Sequence, residues 1–145
     1  MIIFLDFDGV LHPDPCPRPE LLLCELPRLE NVLRDFPQAQ IVVSSTWRET
    51  RSLDELKSLF APDVASQVIG VTPVSSDLDH VVYSYHRQAE IEAWLRVNRS
   101  PWDRFAVIDD RPWLFTPFYA PLLKCDPTTG MNDQVELSLR FRLKG

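Results

Sequence analysis

Short segments that are apolar on both faces alternate along this chain with segments of helical periodicity, and this alternation constrains the fold strongly. Strands that are buried on both faces are typical of parallel sheets. Because strands that alternate with helices form βα units, the pattern predicts an α/β fold with a doubly wound parallel sheet in three α/β/α layers. The five expected strands are residues 2–6, 41–43, 68–71, 105–108 and 122–123.

The segments between these strands supply the helices of the predicted fold. Ser52 and Glu55 have the spacing of a capping box at the start of one of them. The last segment alternates like a strand, but Asn132 and Asp133 can cap a helix. We expect a terminal helix there, because the alternation of strands and helices requires one. The three earlier helices are expected at residues 27–36, 53–60 and 88–97.

Three of the expected strands run directly into acidic or hydroxyl-bearing residues. In open parallel sheets, ligands bind outside the carboxyl ends of the strands. We therefore expect these side chains to meet at one edge of the sheet, although they lie far apart in the sequence. They are Asp6 and Asp8 after the first strand, Ser44, Ser45 and Thr46 after the second, and Asp109 and Asp110 after the fourth.

The acidic members of this set indicate metal-assisted chemistry. Asp6 and Asp8 repel each other in a dry site, and a cation such as Mg²⁺, which prefers oxygen ligands, relieves that repulsion. Asp109 and Asp110 could complete a site without histidine or cysteine, which favours a hard metal over zinc. A carboxylate can also attack phosphorus to give an aspartyl-phosphate, while a second carboxyl group gives and takes the proton.

Three segments match signatures of a known superfamily. The sequence FLDFDGVL at residues 4–11 resembles the first signature of the haloacid dehalogenase-like (HAD) superfamily, VSST at 43–46 resembles the second, and VIDD at 107–110 resembles the fourth. The resemblance implies a Rossmann-like α/β fold and Mg²⁺-dependent phosphoryl transfer. It implies that Asp6 is the nucleophile and that Asp8 is the general acid/base.

The resemblance also implies ligands for the metal and for the phosphate group. Gly9 and a hydroxyl of the second signature are expected to contact the phosphate. We prefer Ser45 over Ser44 for this role, with Thr46 as a further candidate, although these residues could instead cap the turn that follows. The implied metal ligands are Asp6, Asp8 through its backbone carbonyl, Asp109 and Asp110.

A cation of the third signature would neutralise the phosphoryl group, and Arg87 is our candidate. An arginine that begins a helix is more commonly solvated, and Arg87 stands where lysine is the usual residue of the superfamily. His86, Arg48 and Lys124 therefore remain alternatives. His12 follows the first signature and could contact the substrate, but we expect it to be a loop residue, and Trp47 is expected to anchor the core or a loop.

Two further segments narrow the resemblance. The sequences STWR at residues 45–48 and DPTTG at 126–130 resemble HAD domains associated with RNA-repair proteins. The stretches 11–27 and 52–87 leave no room for a large cap domain, so an open site is expected. Open sites suit large phosphorylated substrates, either a nucleic-acid end or a phosphoprotein.

Composition excludes several classes of function. The 145 residues carry a net charge of −6, which disfavours non-specific binding to nucleic-acid backbones. We expect one domain over residues 1–145 without a composition shift, no membrane span, and no signal peptide at the first residues. The three cysteines are odd in number and lack a Cys-x-x-Cys pair, so reduced thiols in a cytoplasmic protein are expected.

Three functions are compatible with these residues. The first is a Mg²⁺-dependent phosphohydrolase that acts through an aspartyl-phosphate on Asp6, with a nucleotide or nucleic-acid end as the expected substrate. The second is a binding or regulatory module with the same fold and little turnover, which has no need for the side chain of Asp8. The third is a phosphomutase or a dehalogenase, and a dehalogenase needs neither the metal nor Asp8.

Overall fold

The computed structural model describes residues 1–75, 85–99 and 103–145, and within these ranges the strands form one parallel sheet. The predicted α/β class is confirmed. The strands are β1 (Ile2–Leu5), β2 (Gln40–Val43), β3 (Val68–Val71), β4 (Phe105–Asp109) and β5 (Leu122–Lys124). Their order across the sheet is β3-β2-β1-β4-β5, with every neighbouring pair parallel.

In the described residues, four α-helices flank the sheet: α1 (Leu26–Asp35), α2 (Leu53–Lys57), α3 (His86–Asn98) and α4 (Asp133–Lys144). The terminal helix is confirmed, because the side chain of Asn132 accepts a hydrogen bond from the Val135 N–H at 3.0 Å. The capping box of Ser52 and Glu55 at the start of α2 is confirmed as well.

Two helix boundaries differ from the prediction by two residues or more. The expected second helix ran to Phe60, but α2 ends at Lys57, and the N–H of Phe60 donates to the Lys57 carbonyl in a tighter turn. The expected third helix began at Gln88, whereas α3 begins at His86. Arg87 therefore lies inside the first turn of α3 rather than ahead of the helix.

Strand β1 is buried on both faces because it lies at the centre of the sheet. Its residues alternate between two apolar clusters. Ile3 and Leu5 face the cluster that includes residues of α1 and α4, while Phe4 packs on the α3 side, with its ring centroid 5.6 Å from that of Trp94. This is the three-layer arrangement that the apolar strand pattern predicts.

The register of the sheet brings the predicted site residues to one edge. Leu5 of β1 lies opposite both Val43 of β2 and Ile108 of β4. Hydrogen bonds extend this register by one step, since the Asp6 N–H donates to the Ile108 carbonyl at 3.0 Å and the Ser44 N–H to the Leu5 carbonyl at 2.9 Å. The residues that follow the three strands therefore emerge side by side.

The described residues contain no large cap domain. The segment between β1 and α1 is a loop with one short 3-10 turn at Pro19–Leu21, where the proline run predicts a stiff extended loop. The three cysteines are free thiols. In the ranges that the structure describes, no helix is both long enough and apolar enough to cross a bilayer.

Candidate active site

Three buried carboxylates form the centre of the site. Asp6 follows β1 directly, Asp109 is the last residue of β4, and Asp110 comes next. Each contributes an oxygen atom to a cluster in which these atoms all lie within 4.8 Å of one another. The convergence of the first and fourth signatures is thus a property of the sheet register.

The electrostatics of this cluster call for a proton or a cation. Burial raises the pKa of Asp6 well above its ordinary value, and the charge of Asp109 raises it further. Burial likewise raises the pKa of Asp109 to about 6, while the nearby guanidinium of Arg87 works against that increase. Carboxylates in such a setting are poorly ionised unless positive charge is added.

The unpaired oxygens of the cluster fit a divalent cation. Asp109 Oδ2 and Asp110 Oδ1 are buried and accept no hydrogen bond from any part of the chain that the structure describes. Buried polar atoms without partners are rare, and three carboxylates without nitrogen or sulfur ligands are the donor set of a hard cation. The residues present therefore fit the predicted Mg²⁺.

Gly9 lets the turn after β1 approach this cluster. Its φ of +77° lies in the left-handed region, and a Cβ atom at this position would collide with the carboxylate of Asp110. Both the left-handed backbone and the close approach require glycine. Gly9 is thus next to the carboxylates, and its predicted contact with phosphate stays a prediction.

Asp8 lies beside the cluster and has partners of its own. Its side chain is 38% exposed. His12 Nε2 lies 2.8 Å from Asp8 Oδ1, and the indole Nε1 of Trp47 donates to both carboxylate oxygens at 3.2 Å. Sequence reasoning missed both contacts: His12 lies in the loop after β1, as expected, but is only 2% exposed, and Trp47 is more than a packing anchor.

The second signature supplies two buried hydroxyl groups. Ser44 and Ser45 are fully buried, whereas Thr46 is exposed. The Ser45 hydroxyl accepts a hydrogen bond from the Trp47 N–H at 3.2 Å, so the alternative capping role applies to this residue. The Ser44 hydroxyl has no hydrogen-bond partner among the described residues, which leaves it available to a ligand.

Arg87 is a buried cation that faces the carboxylates. Its Nε lies 3.8 Å from Asp109 Oδ2, and its side chain is 5% exposed. Within the described ranges, neither its Nε nor its Nη1 has a hydrogen-bond partner. These properties differ from those of a solvated arginine at a helix start, and they fit a guanidinium that binds an anionic ligand.

The alternative cations occupy other positions. Arg48 is also buried, but the five N–H groups of its guanidinium match five acceptors, so it is a structural strut. His86 and Lys124 are both exposed. The acceptors around Arg48 are the backbone carbonyls of Thr72, Ser44, Ser45 and Pro73 and the carboxylate of Glu90.

The DPTTG segment supports the turn after β1 from behind. The Met131 N–H donates to the Val10 carbonyl at 2.7 Å, and the Asp14 N–H donates to the Pro127 carbonyl at 2.8 Å. Gly130 has a φ of +74°, and a Cβ atom there would lie 2.7 Å from the Val10 carbonyl oxygen. This glycine therefore allows two backbone segments to touch.

One family model matches this chain. It is described as the HAD domain in Swiss Army Knife RNA repair proteins, and it covers residues 2–135. All the site residues described above lie inside the matched range. No curated protein and no solved structure matches the chain.

Proposed function

Since the chain belongs to the family of HAD domains found in Swiss Army Knife RNA repair proteins, we propose that it is a Mg²⁺-dependent phosphomonoesterase that forms an aspartyl-phosphate on Asp6. Membership of this family supports a hydrolase of the HAD type. The observation that carries the finer proposal is the buried cluster of Asp6, Asp109 and Asp110 opposite the Arg87 guanidinium, whose Nε and Nη1 atoms have no hydrogen-bond partner among the described residues.

In the first step, a carboxylate oxygen of Asp6 attacks phosphorus. A bond forms between that oxygen and phosphorus, and the bond from phosphorus to the leaving-group oxygen breaks. Asp8 gives its proton to the leaving group. We assign the binding of the phosphoryl oxygens to Arg87 and to the hydroxyl of Ser44, and Ser45 remains the second hydroxyl candidate.

In the second step, Asp8 takes a proton from water and the resulting hydroxide attacks the aspartyl-phosphate. Inorganic phosphate leaves, and Asp6 is regenerated as a carboxylate. Mg²⁺, when bound by Asp6, Asp109, Asp110 and the Asp8 carbonyl, supplies positive charge that offsets the repulsion among carboxylates and phosphoryl oxygens. The same two residues thus handle the covalent bond and the proton in both steps.

A phosphate on a nucleotide or on a nucleic-acid end is the substrate class that we propose. The family description, which places these HAD domains in RNA repair proteins, supports it. The lack of a large cap among the described residues supports it as well, since an uncovered edge admits the end of a large molecule. A phosphoprotein is the competing substrate of similar size.

The test is hydrolysis of para-nitrophenyl phosphate, with Mg²⁺ and with EDTA, by the wild type and by Asp6→Asn. We expect metal-dependent release of phosphate that falls by about a thousandfold or more in the variant, because the nucleophile is lost. Asp54→Asn is the matched control, since Asp54 is an exposed aspartate of α2 and should leave the rate unchanged. Equal rates in wild type and Asp6→Asn would refute the covalent mechanism.

The same experiment separates the enzyme from the binding module. A wild type that is folded and binds Mg²⁺, yet releases no phosphate from aryl phosphates, nucleic-acid ends or phosphopeptides, would favour the module. The position of Asp8 argues for turnover, because a module has no use for a half-exposed carboxylate held by two side chains.

A further inference from the structure

Two side chains that follow the first and second signatures in the sequence hold the Asp8 carboxylate. We propose that His12 and Trp47 are positioning residues that fix Asp8 so that its Oδ2 atom faces the leaving group of the substrate. This inference rests on the proposed function, because it assigns the partners of the proposed general acid/base. It gives His12 and Trp47 a role in positioning Asp8 that the sequence analysis did not assign to either of them.

The hydrogen bonds of His12 fix its ring and its tautomer. The backbone N–H of Leu23 donates to His12 Nδ1 at 3.3 Å. Because Nδ1 accepts this hydrogen bond, the proton of the neutral ring is on Nε2. Nε2 then donates to Asp8 Oδ1 at 2.8 Å. The imidazole is 2% exposed, so both of its nitrogens are committed inside the protein.

Trp47 is fixed just as firmly on the other side. Its ring centroid lies 5.1 Å from that of Phe7, and the guanidinium of Arg51 lies over its ring at 4.1 Å from the centroid. The backbone N–H of Trp47 is also bound by the Ser45 hydroxyl. The indole Nε1 is therefore a rigid donor, and Asp8 receives hydrogen bonds from two segments that are separate in the chain.

These contacts make the two oxygens of Asp8 unequal. Oδ1 accepts from both His12 and Trp47, whereas Oδ2 only shares the indole N–H, at 3.2 Å. The proton that Asp8 delivers therefore belongs on Oδ2, since Oδ1 is occupied by donors. Proton transfer depends on placing that oxygen within hydrogen-bond reach of the leaving group, and a freely rotating carboxylate would spend little time there.

Leaving-group dependence distinguishes positioning from a merely structural role. An aryl phosphate has a good leaving group that needs little protonation, whereas an alkyl phosphate needs the proton. The value of kcat/KM covers only the steps through phosphoryl transfer to Asp6, so it isolates proton delivery to the leaving group. The relevant readout is the ratio of kcat/KM for ethyl phosphate to that for para-nitrophenyl phosphate.

The variants are His12→Phe, His12→Gln and Trp47→Phe, with Trp94→Phe as the matched control for loss of a buried indole away from Asp8. We expect His12→Phe to lower kcat/KM for ethyl phosphate by about 10- to 100-fold, and that for para-nitrophenyl phosphate by less than about threefold. His12→Gln should recover part of the loss, because its amide can donate to Asp8. Trp47→Phe should act in the same direction, and Trp94→Phe should leave the ratio unchanged.

The outcomes separate the two proposals. The positioning role alone would be overturned if the wild type is active and the two variants, His12→Phe and Trp47→Phe, lower kcat/KM equally for both esters. It would also be overturned if they lower kcat/KM for neither ester. No Mg²⁺-dependent release of phosphate by the wild type from these two esters, from nucleic-acid ends or from phosphopeptides would refute the proposed function and this role with it. Two-bond proton–nitrogen NMR spectra give a readout without turnover: a proton of His12 on Nδ1 instead of Nε2 would also overturn the inference.

Discussion

Replacing Arg48 with methionine should lower the free energy of unfolding about as much as a single substitution can. The Arg48 and Glu90 side chains are 2% and 4% exposed, and their ion pair measures 3.0 Å. Methionine keeps much of the volume but leaves the Glu90 carboxylate buried, with the Ser75 N–H at 2.7 Å as its remaining described partner. Breaking a buried ion pair on one side costs about 3–5 kcal/mol, and backbone carbonyls lose donors in addition.

The free energy of unfolding, measured by urea denaturation, should therefore fall by about 4 kcal/mol in Arg48→Met, which corresponds to roughly 10 °C in Tm for a chain of this size. Arg34→Met is the matched control, because the Arg34–Asp63 pair is exposed and should be worth less than about 1 kcal/mol. The double variant Arg48→Met/Glu90→Gln should recover part of the loss. If the free energy of unfolding falls no further in Arg48→Met than in Arg34→Met, the structural role of Arg48 would be refuted.

Two other predictions concern the carboxylate cluster. With Mg²⁺ present, Arg87→Met should lower kcat for para-nitrophenyl phosphate by about a hundredfold. The Tm should fall much less than in Arg48→Met, because Arg87 Nε and Nη1 have no hydrogen-bond partner among the described residues. A large drop in Tm with kcat unchanged would contradict this prediction. Without metal, the Asp109 pKa of about 6, against an ordinary 3.8, means that the folded chain holds a proton that the unfolded chain releases. The free energy of unfolding should then fall, by roughly 3 kcal/mol for this group, as pH rises from about 4 to 6. Urea titrations in EDTA should show this slope, and Asp109→Asn should reduce it but not abolish it, because the pKa of Asp6 is raised as well. The same slope in both proteins would assign the effect to another group.

The parts of the fold that repeat a pattern could be predicted from the sequence. Apolar segments locate the strands, and the parallel register then places Asp6, Ser44 and Asp109 at one edge, as expected. The helix ends were predicted less accurately than the strands, because local turns determine where a helix ends. The end of α2 at Lys57 depends on a turn that periodicity does not encode.

The roles of individual polar side chains were harder to predict. Trp47 and Asp8 are 39 residues apart, and no spacing rule links an indole to a carboxylate over that distance. His12 offered a weak signal, since it follows Asp8 by four residues across a tight turn. Arg48 and Arg87 looked alike in sequence and are both buried, and only their hydrogen-bond partners distinguish the structural arginine from the one that faces the carboxylate cluster.

The contact between Gly130 and Val10 has a consequence for protein synthesis. The ribosome makes the turn after β1 more than a hundred residues before it makes Met131, whose N–H binds the Val10 carbonyl. Asp109 and Asp110 also emerge late. The nascent chain therefore contains Asp6, the proposed nucleophile, for more than a hundred residues of synthesis before the DPTTG segment that supports the adjacent turn is made. The site can assemble only well after Asp6 has been added to the chain.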